Sequence, residues 1–295
     1  MIFVEILKAI IFGIVEGITE WLPVSSTGHL ILFDELLRLD VGVNDTAFQE
    51  QFVEMFNVVI QLGAILAVVV LFFGKLNPIS KTKTTEEKKQ TLTLWLKVII
   101  ASVPAAIVGL VFDKVLQELS GKDIDGWLYN SYVVAAALII YGILFIIIER
   151  FNKSREVRVS ALSDISYKSA LLIGVFQMLA IIPGTSRSGS TILGSMLIGV
   201  SRPVAAEFSL FMAIPAMLGA SFIKLIGFLE YTSAAAVAIP LDAWVVLLVG
   251  CAVAFAVSMA AIKFLMDFVR RHSFAPFGVY RIALGILVLG YFLFV

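Results

Sequence analysis

Two short stretches of this chain hold the residue types that chemistry needs. The first reads Glu16-Gly-Ile-Thr-Glu20-Trp-Leu-Pro-Val-Ser25-Ser26-Thr27-Gly28-His29. Glu16 and Glu20 are four positions apart, which puts both carboxylates on one face of a helix. Such a pair can hold a hard divalent cation, Mg²⁺ or Ca²⁺, or divide base and metal roles between its members. The plainer reading is an interfacial pair that faces water. Pro23 ends this helix, and Ser25 or Ser26 suits the N-cap of the next one. The new N-terminus offers unpaired N–H groups that favour a phosphate. Ser26 and His29 are three apart on that first turn, so a hydroxyl can lie beside an imidazole, the minimum for nucleophilic catalysis. Two capping serines and a histidine bonded to backbone would satisfy the same spacing.

The second stretch is Pro183-Gly184-Thr185-Ser186-Arg187-Ser188-Gly189-Ser190-Thr191, a turn rich in glycine and hydroxyls that opens a helix and carries one cation. Arg187 stands in an apolar neighbourhood and needs an anionic partner. A phosphate matches its planar fork, and a salt bridge to Glu16 or Glu20 is the rival partner. The two can alternate, the bridge opening when substrate arrives. Weaker signals are Asn57 and Gln61, four apart, which helix–helix hydrogen bonding explains at least as often as substrate contact, and Glu54 and Glu207, which begin comparable spans in the two halves.

The elements that position these residues lie in a membrane. Of 295 residues, 60% are hydrophobic and 15% charged, with a mean hydropathy of +1.00, more apolar surface than a soluble fold can hide. Six stretches, about 52–73, 93–113, 130–149, 204–226, 243–266 and 276–295, are long enough for a core of roughly 30 Å, which takes about 20 helical residues. Two further apolar stretches are interrupted, at Pro23–Ser26 and Pro183–Ser186, and their resumed halves are too short to cross. Each is expected to form a re-entrant helical hairpin, a broken backbone tolerated at depth only where protein or a water-filled cavity surrounds it. The expected fold is therefore an all-α polytopic membrane protein of six transmembrane helices and two re-entrant hairpins.

The halves also correspond. At a constant offset of 161 positions Gly13 meets Gly174, Glu16 meets Gln177, Ser25 meets Ser186, Thr27 meets Ser188 and Gly28 meets Gly189. This suggests one integral membrane domain, 1–295, built as an inverted-topology repeat. The first repeat is 1–150, with its hairpin at about 2–38 and three spans; the second is 160–295, with its hairpin at about 168–200 and three spans. Lysine and arginine crowd the loops 74–97, 150–168 and 267–275, whereas 114–129 holds only Lys114 and Lys122 and 227–242 holds none. That bias predicts the first three loops on the cytoplasmic side and both termini outside.

Other chemistry is unfavoured. A single cysteine, Cys251, permits no disulfide framework, and neither histidine, His29 or His272, belongs to a metal-binding cluster. The formal net charge is zero, and no nucleic-acid partner is expected. The N-terminus lacks a basic n-region and an A-x-A-like site, so it is not read as a removable signal. An inverted-repeat secondary transporter, or a flippase of an anionic lipid, is the alternative class.

The glutamate-rich stretch Glu16–His29 resembles the first signature of the undecaprenyl-diphosphate phosphatases, also called bacitracin-resistance proteins. Pro183–Thr191 resembles their second, a PGxSRSxxT pattern, and Val58–Val68 and Gly199–Ser209 are also similar to that family. The resemblance implies a hydrolase in the bacterial cytoplasmic membrane that converts undecaprenyl diphosphate to the monophosphate carrier used in cell-wall synthesis. It implies a divalent cation, Mg²⁺ or Ca²⁺, a site open to the outer face, a prenyl diphosphate lipid as substrate among membrane lipids, and room for a homodimer. By the same resemblance Glu16 and Glu20 bind metal or activate the nucleophile, Ser26 is the leading nucleophile, and His29 is a base or acid. Arg187 acts in catalysis and, with Ser25, Thr27, Ser186, Ser188 and Thr191, holds the diphosphate. Attack by Ser26, by His29 or by an activated water all fit the spacing.

Overall fold

Pro23 and Pro183 divide the two interrupted stretches where the sequence places the breaks. In the computed structural model, which describes residues 2–43, 45–121, 127–128 and 130–294, helix α1 (Ile2–Thr19) stops before Pro23 and α2 (Ser26–Leu37) begins after it. Helix α6 (Tyr167–Ile181) and helix α7 (Arg187–Leu197) flank Pro183 in the same way. Lys122, and part of the loop 114–129 used for orientation, lie outside the described residues.

Six helices are long and apolar enough to cross a membrane. They are α3 (Thr46–Leu71), α4 (Thr85–Ser120), α5 (Ser131–Asn152), α8 (Arg202–Ala234), α9 (Leu241–Arg271) and α10 (Ala275–Phe294). Among the described residues the one β pairing is an isolated bridge between Val159 and Val200. The chain is thus an all-helical, multi-pass membrane protein. Several helices outrun the apolar stretches that announced them. Lys88, Lys89 and Lys97 belong to α4, α8 continues through Ala234, and α9 takes in Arg270 and Arg271. Hydropathy registers only the lipid-facing part of a helix, whereas backbone hydrogen bonding continues until a cap or a breaker ends it.

Caps set the starts. The Asp45 carboxylate accepts from the Phe48 N–H at 3.1 Å before α3. Thr84 and Glu87 form a reciprocal capping box before α4, and Ser166 accepts from Ser169 N–H at 3.0 Å before α6.

The helices pack in matched pairs. Helix α1 lies on α9 and α6 on α4; α3 lies on α9 and α4 on α8; α5 packs along α10, and α3 along α8. Ion pairs join Lys75, one turn beyond α3, to Glu207 in α8, and Lys224 in α8 to Glu54 in α3, so these two spans run antiparallel. Glycines admit close approaches at two of these crossings. A Cβ on Gly13 would stand 2.7 Å from the Gly250 carbonyl of α9, and one on Gly174 would stand 2.1 Å from the Ala101 carbonyl of α4. Small residues at such crossings let backbones touch where no hydrophobic force drives helices together in lipid. Inside, Phe12, Phe48, Phe52, Phe56 and Phe228 fill one cluster, and Trp21, Phe145, Phe208, Phe211 and Phe274 belong to a larger one. Outward-facing Phe222, Leu248 and Ile286 are exposed, as the lipid-facing side of a span requires.

Candidate active site

The two helix breaks meet. Ser25 caps α2 and Ser186 caps α7, each with its hydroxyl accepting from the N–H three residues on, Gly28 at 3.3 Å and Gly189 at 3.2 Å. Both serines take a left-handed backbone, φ 73° and φ 69°, a strained choice for a residue with a Cβ. It turns the chain sharply enough to start a new helix.

Glu20, just past the end of α1, is the junction of the site. One carboxylate oxygen, Oε1, receives Arg187 Nη2 at 3.1 Å. The other, Oε2, receives the Ser26 hydroxyl at 2.7 Å. Arg187 also donates from Nη1 to the Ser209 carbonyl of α8 at 2.9 Å, and its guanidinium lies 6.0 Å from the Trp21 ring centre. Its Nε–H is buried and without an acceptor, so one edge of the fork is free for a further anion. Glu16 is fully buried, and neither of its carboxylate oxygens has a hydrogen-bond partner. Its ionisable neighbours are Glu20 and Arg187.

The hydroxyls divide into groups. Ser188 reaches the Glu20 backbone carbonyl at 3.3 Å and the Ser186 hydroxyl at 3.1 Å. Thr27 is half-buried on the first turn of α2. Thr191 is turned to its own helix, donating toward the carbonyls of Arg187 and Ser188, and meets the Ser209 hydroxyl at 2.7 Å. The structure brings Thr191 to α8 rather than to the carboxylates. His29 and Ser26 also part company: the imidazole Nδ1 is 2.8 Å from the Ser25 carbonyl, and its Nε2 is 2.6 Å from the Tyr280 hydroxyl. The expected hydroxyl–imidazole contact is replaced by a hydroxyl–carboxylate one, because Ser26 faces back across the break toward Glu20.

Three participants had no role assigned from the sequence. Ser209 supports Arg187 with its carbonyl and Thr191 with its hydroxyl. Tyr280 meets His29. Arg281, fully buried, donates to the Pro23 carbonyl at 3.2 Å and to the Gly184 and Thr185 carbonyls at 2.7 and 2.9 Å. It ties one break to the other beside the rings of Tyr141 and Phe145. Its signal was legible, a lone guanidinium inside the apolar run 276–295. Ser209 only closed the family-like run Gly199–Ser209, and Tyr280 gave no signal, since tyrosine is an ordinary residue in a membrane helix.

Fold and site together define a polytopic helical membrane protein with a buried carboxylate–hydroxyl–guanidinium centre, assembled from two broken helices. The family model described as "Bacitracin resistance protein BacA" matches residues 9–287, and the chain belongs to that family. It is 52% identical over 294 residues to a protein of Enterococcus faecalis named undecaprenyl-diphosphatase, covering 100% of both chains. It is similar to undecaprenyl-diphosphatase 1 of Clostridioides difficile, at 52% over 292 residues covering 98% of this chain and 96% of that one. To the undecaprenyl-diphosphatase of Lactiplantibacillus plantarum it is 52% identical over 288 residues, 98% of each.

Proposed function

We propose that this chain hydrolyses undecaprenyl diphosphate to undecaprenyl phosphate and inorganic phosphate, returning the lipid carrier to cell-wall synthesis. The observation that carries this reading is the chain Arg187–Glu20–Ser26, which joins a phosphate-matching cation to a hydroxyl already bonded to a carboxylate. The names of the relatives point the same way.

In this reading Ser26 is the nucleophile. As its oxygen attacks the terminal phosphorus, its proton passes to Glu20 Oε2, which already accepts it. The P–O bond to the bridging oxygen breaks, and the electron pair leaves on the prenyl phosphate. Glu20 hands the Ser26 proton to the departing prenyl phosphate. Water then attacks the phosphoserine and gives a proton to the freed Glu20 carboxylate, which returns it to the Ser26 oxygen as inorganic phosphate departs. Arg187 moves from Glu20 toward the phosphoryl oxygens as their charge is redistributed, with its free Nε–H as the first point of contact. The N-termini of α2 and α7, reached by Ser25, Thr27, Ser186 and Ser188, add backbone dipoles to the same anion.

A divalent cation fits these residues. Glu16 holds two buried oxygens without a partner, beside the Glu20 carboxyl. No group of three or more His, Cys, Asp or Glu side chains gathers among the described residues. Glu16 and Glu20 would therefore share the ion with substrate phosphate and water, the usual arrangement for Mg²⁺. When bound, the ion would neutralise phosphoryl oxygens and draw charge from the leaving group.

The finer architecture belongs to the same reading. Helices α1–α2 and α6–α7 are re-entrant hairpins, and residues 1–150 and 160–295 form an inverted repeat. The repeat is supported by equivalent contacts, α1 on α9 with α6 on α4, by Gly13 and Gly174 at those crossings, and by the matching caps Ser25 and Ser186. Charge bias places both termini outside the bacterial cytoplasmic membrane. Helix α2 leads from Ser26 and His29 to Asp34 and Arg38, which line a cavity of about 1060 Å³ together with Glu54 and Lys224. In this orientation the cavity lies on the outer side, the side toward which the site would open.

The test is phosphate release from a long-chain prenyl diphosphate by detergent-purified protein, with Mg²⁺ and then with EDTA. Metal-dependent release that is absent in Glu20→Gln supports the reading. No release from folded protein in several lipids would overturn it in favour of transport.

A further inference from the structure

The bond between His29 and Tyr280 bears on how the imidazole is used. His29 Nδ1 lies 2.8 Å from the Ser25 carbonyl. A carbonyl oxygen only accepts, so Nδ1 must carry a proton. In the neutral ring Nε2 is then a bare acceptor, and the Tyr280 hydroxyl at 2.6 Å must donate to it. The two rings lie nearly parallel, 10° between planes and 5.7 Å between centres. The imidazole is buried, whereas Tyr280 is 47% exposed.

The phenol is firmly placed. Its neighbour Arg281 is pinned by three backbone carbonyls from the two breaks, and α10 packs along α5. The last span thus presents consecutive residues to the site, one clamping the breaks and the other meeting the histidine.

We infer that Tyr280 is a positioning residue for the phosphatase reaction, a role that rests on the hydrolase reading. It holds His29 as the Nδ1–H tautomer with its Nε2 lone pair turned away from Ser26. With both ring nitrogens engaged, the Ser26 hydroxyl is left to Glu20. Without the phenol the ring keeps one hydrogen bond, can rotate about its side chain, and competes for the Ser26 proton. Substrate affinity, set by Arg187 and the two helix N-termini, does not depend on Tyr280.

The experiment combines kinetics with ¹⁵N spectra of histidine-labelled protein, which are simple because the chain has two histidines and His29→Gln assigns them. In the wild type the His29 ring carries its proton on Nδ1, and the Nε2 resonance moves in Tyr280→Phe. That variant loses about tenfold in kcat, the worth of one orienting hydrogen bond, with KM within about twofold. Added to His29→Gln, it causes no further loss, as expected of residues acting as one unit. Equal kcat in wild type and Tyr280→Phe would overturn the inference alone. So would multiplying losses in the double variant, which mark a separate structural role, or a proton on Nε2. No phosphate release from the wild type would remove the hydrolase reading and this role with it, while the spectrum would still report the hydrogen bond.

Discussion

Arg187 and Glu20 are 167 positions apart in the chain and meet at 3.1 Å, each from a different helix break. Both are largely buried, with 13% and 8% of their side chains exposed. A buried ion pair of this kind contributes little net stability, because desolvation offsets most of the attraction. It does place a cation and a base at one point before substrate arrives.

Breaking this pair separates chemistry from folding. Glu20→Gln and Arg187→Ala should each lower kcat/KM by at least about 10²-fold, in the range for loss of one preorganised electrostatic group. Circular dichroism should stay helical. Because the two act through one carboxylate, the double variant should lose much less than the product of the single losses. Multiplying losses would place the two residues in separate steps.

Glu16 predicts different effects with and without metal. Its buried carboxylate oxygens have no hydrogen-bond partner, which leaves them to an ion. Glu16→Gln keeps the size of the side chain, so the thermal midpoint in EDTA should change little. With Mg²⁺ present the stabilisation by ligand should shrink, and Mn²⁺ affinity measured by paramagnetic resonance should fall about tenfold or more. An unchanged affinity would place the ion elsewhere.

Arg281 holds the two breaks together, so its loss should be structural as well as functional. Arg281→Met strands the carbonyls of Pro23, Gly184 and Thr185, each at a cost of roughly 1–3 kcal/mol. The expected result is a destabilisation of about 3 kcal/mol or more, with loss of hydrolysis. Arg281→Lys keeps the charge but not the fork, and should fall between the two. Thermal unfolding in detergent distinguishes the three proteins.

The crossing of α4 and α6 can be probed at Gly174. A leucine there must push the Ala101 carbonyl aside, since even a Cβ would sit 2.1 Å from it. Overpacking of this kind costs roughly 1–3 kcal/mol, read as a lower thermal midpoint. Gly290→Ala, where nothing stands within 4 Å, should not be destabilising.

The chain's own order of residues determined the membrane, the six spans, both breaks and the chemical types at them. These features are local. An apolar run reports its solvent, a proline followed by small hydroxyl and glycine residues ends a helix, and a serine two or three residues on can cap the next one. Arg187 could be seen to need an anion from its neighbourhood alone, with Glu20 among the partners named. What required tertiary structure was the choice among partners. Ser26 and His29 are near in sequence and suited to each other, yet Ser26 turns to Glu20 and His29 to Tyr280, 251 positions away. Thr191, within the second signature, turns to Ser209 of α8. Ser209, Tyr280 and Arg281 enter because two spans from the second half pass beside the breaks. A hydrogen bond goes to whichever acceptor the backbone brings within 3 Å or so, and helices distant in sequence settle that distance.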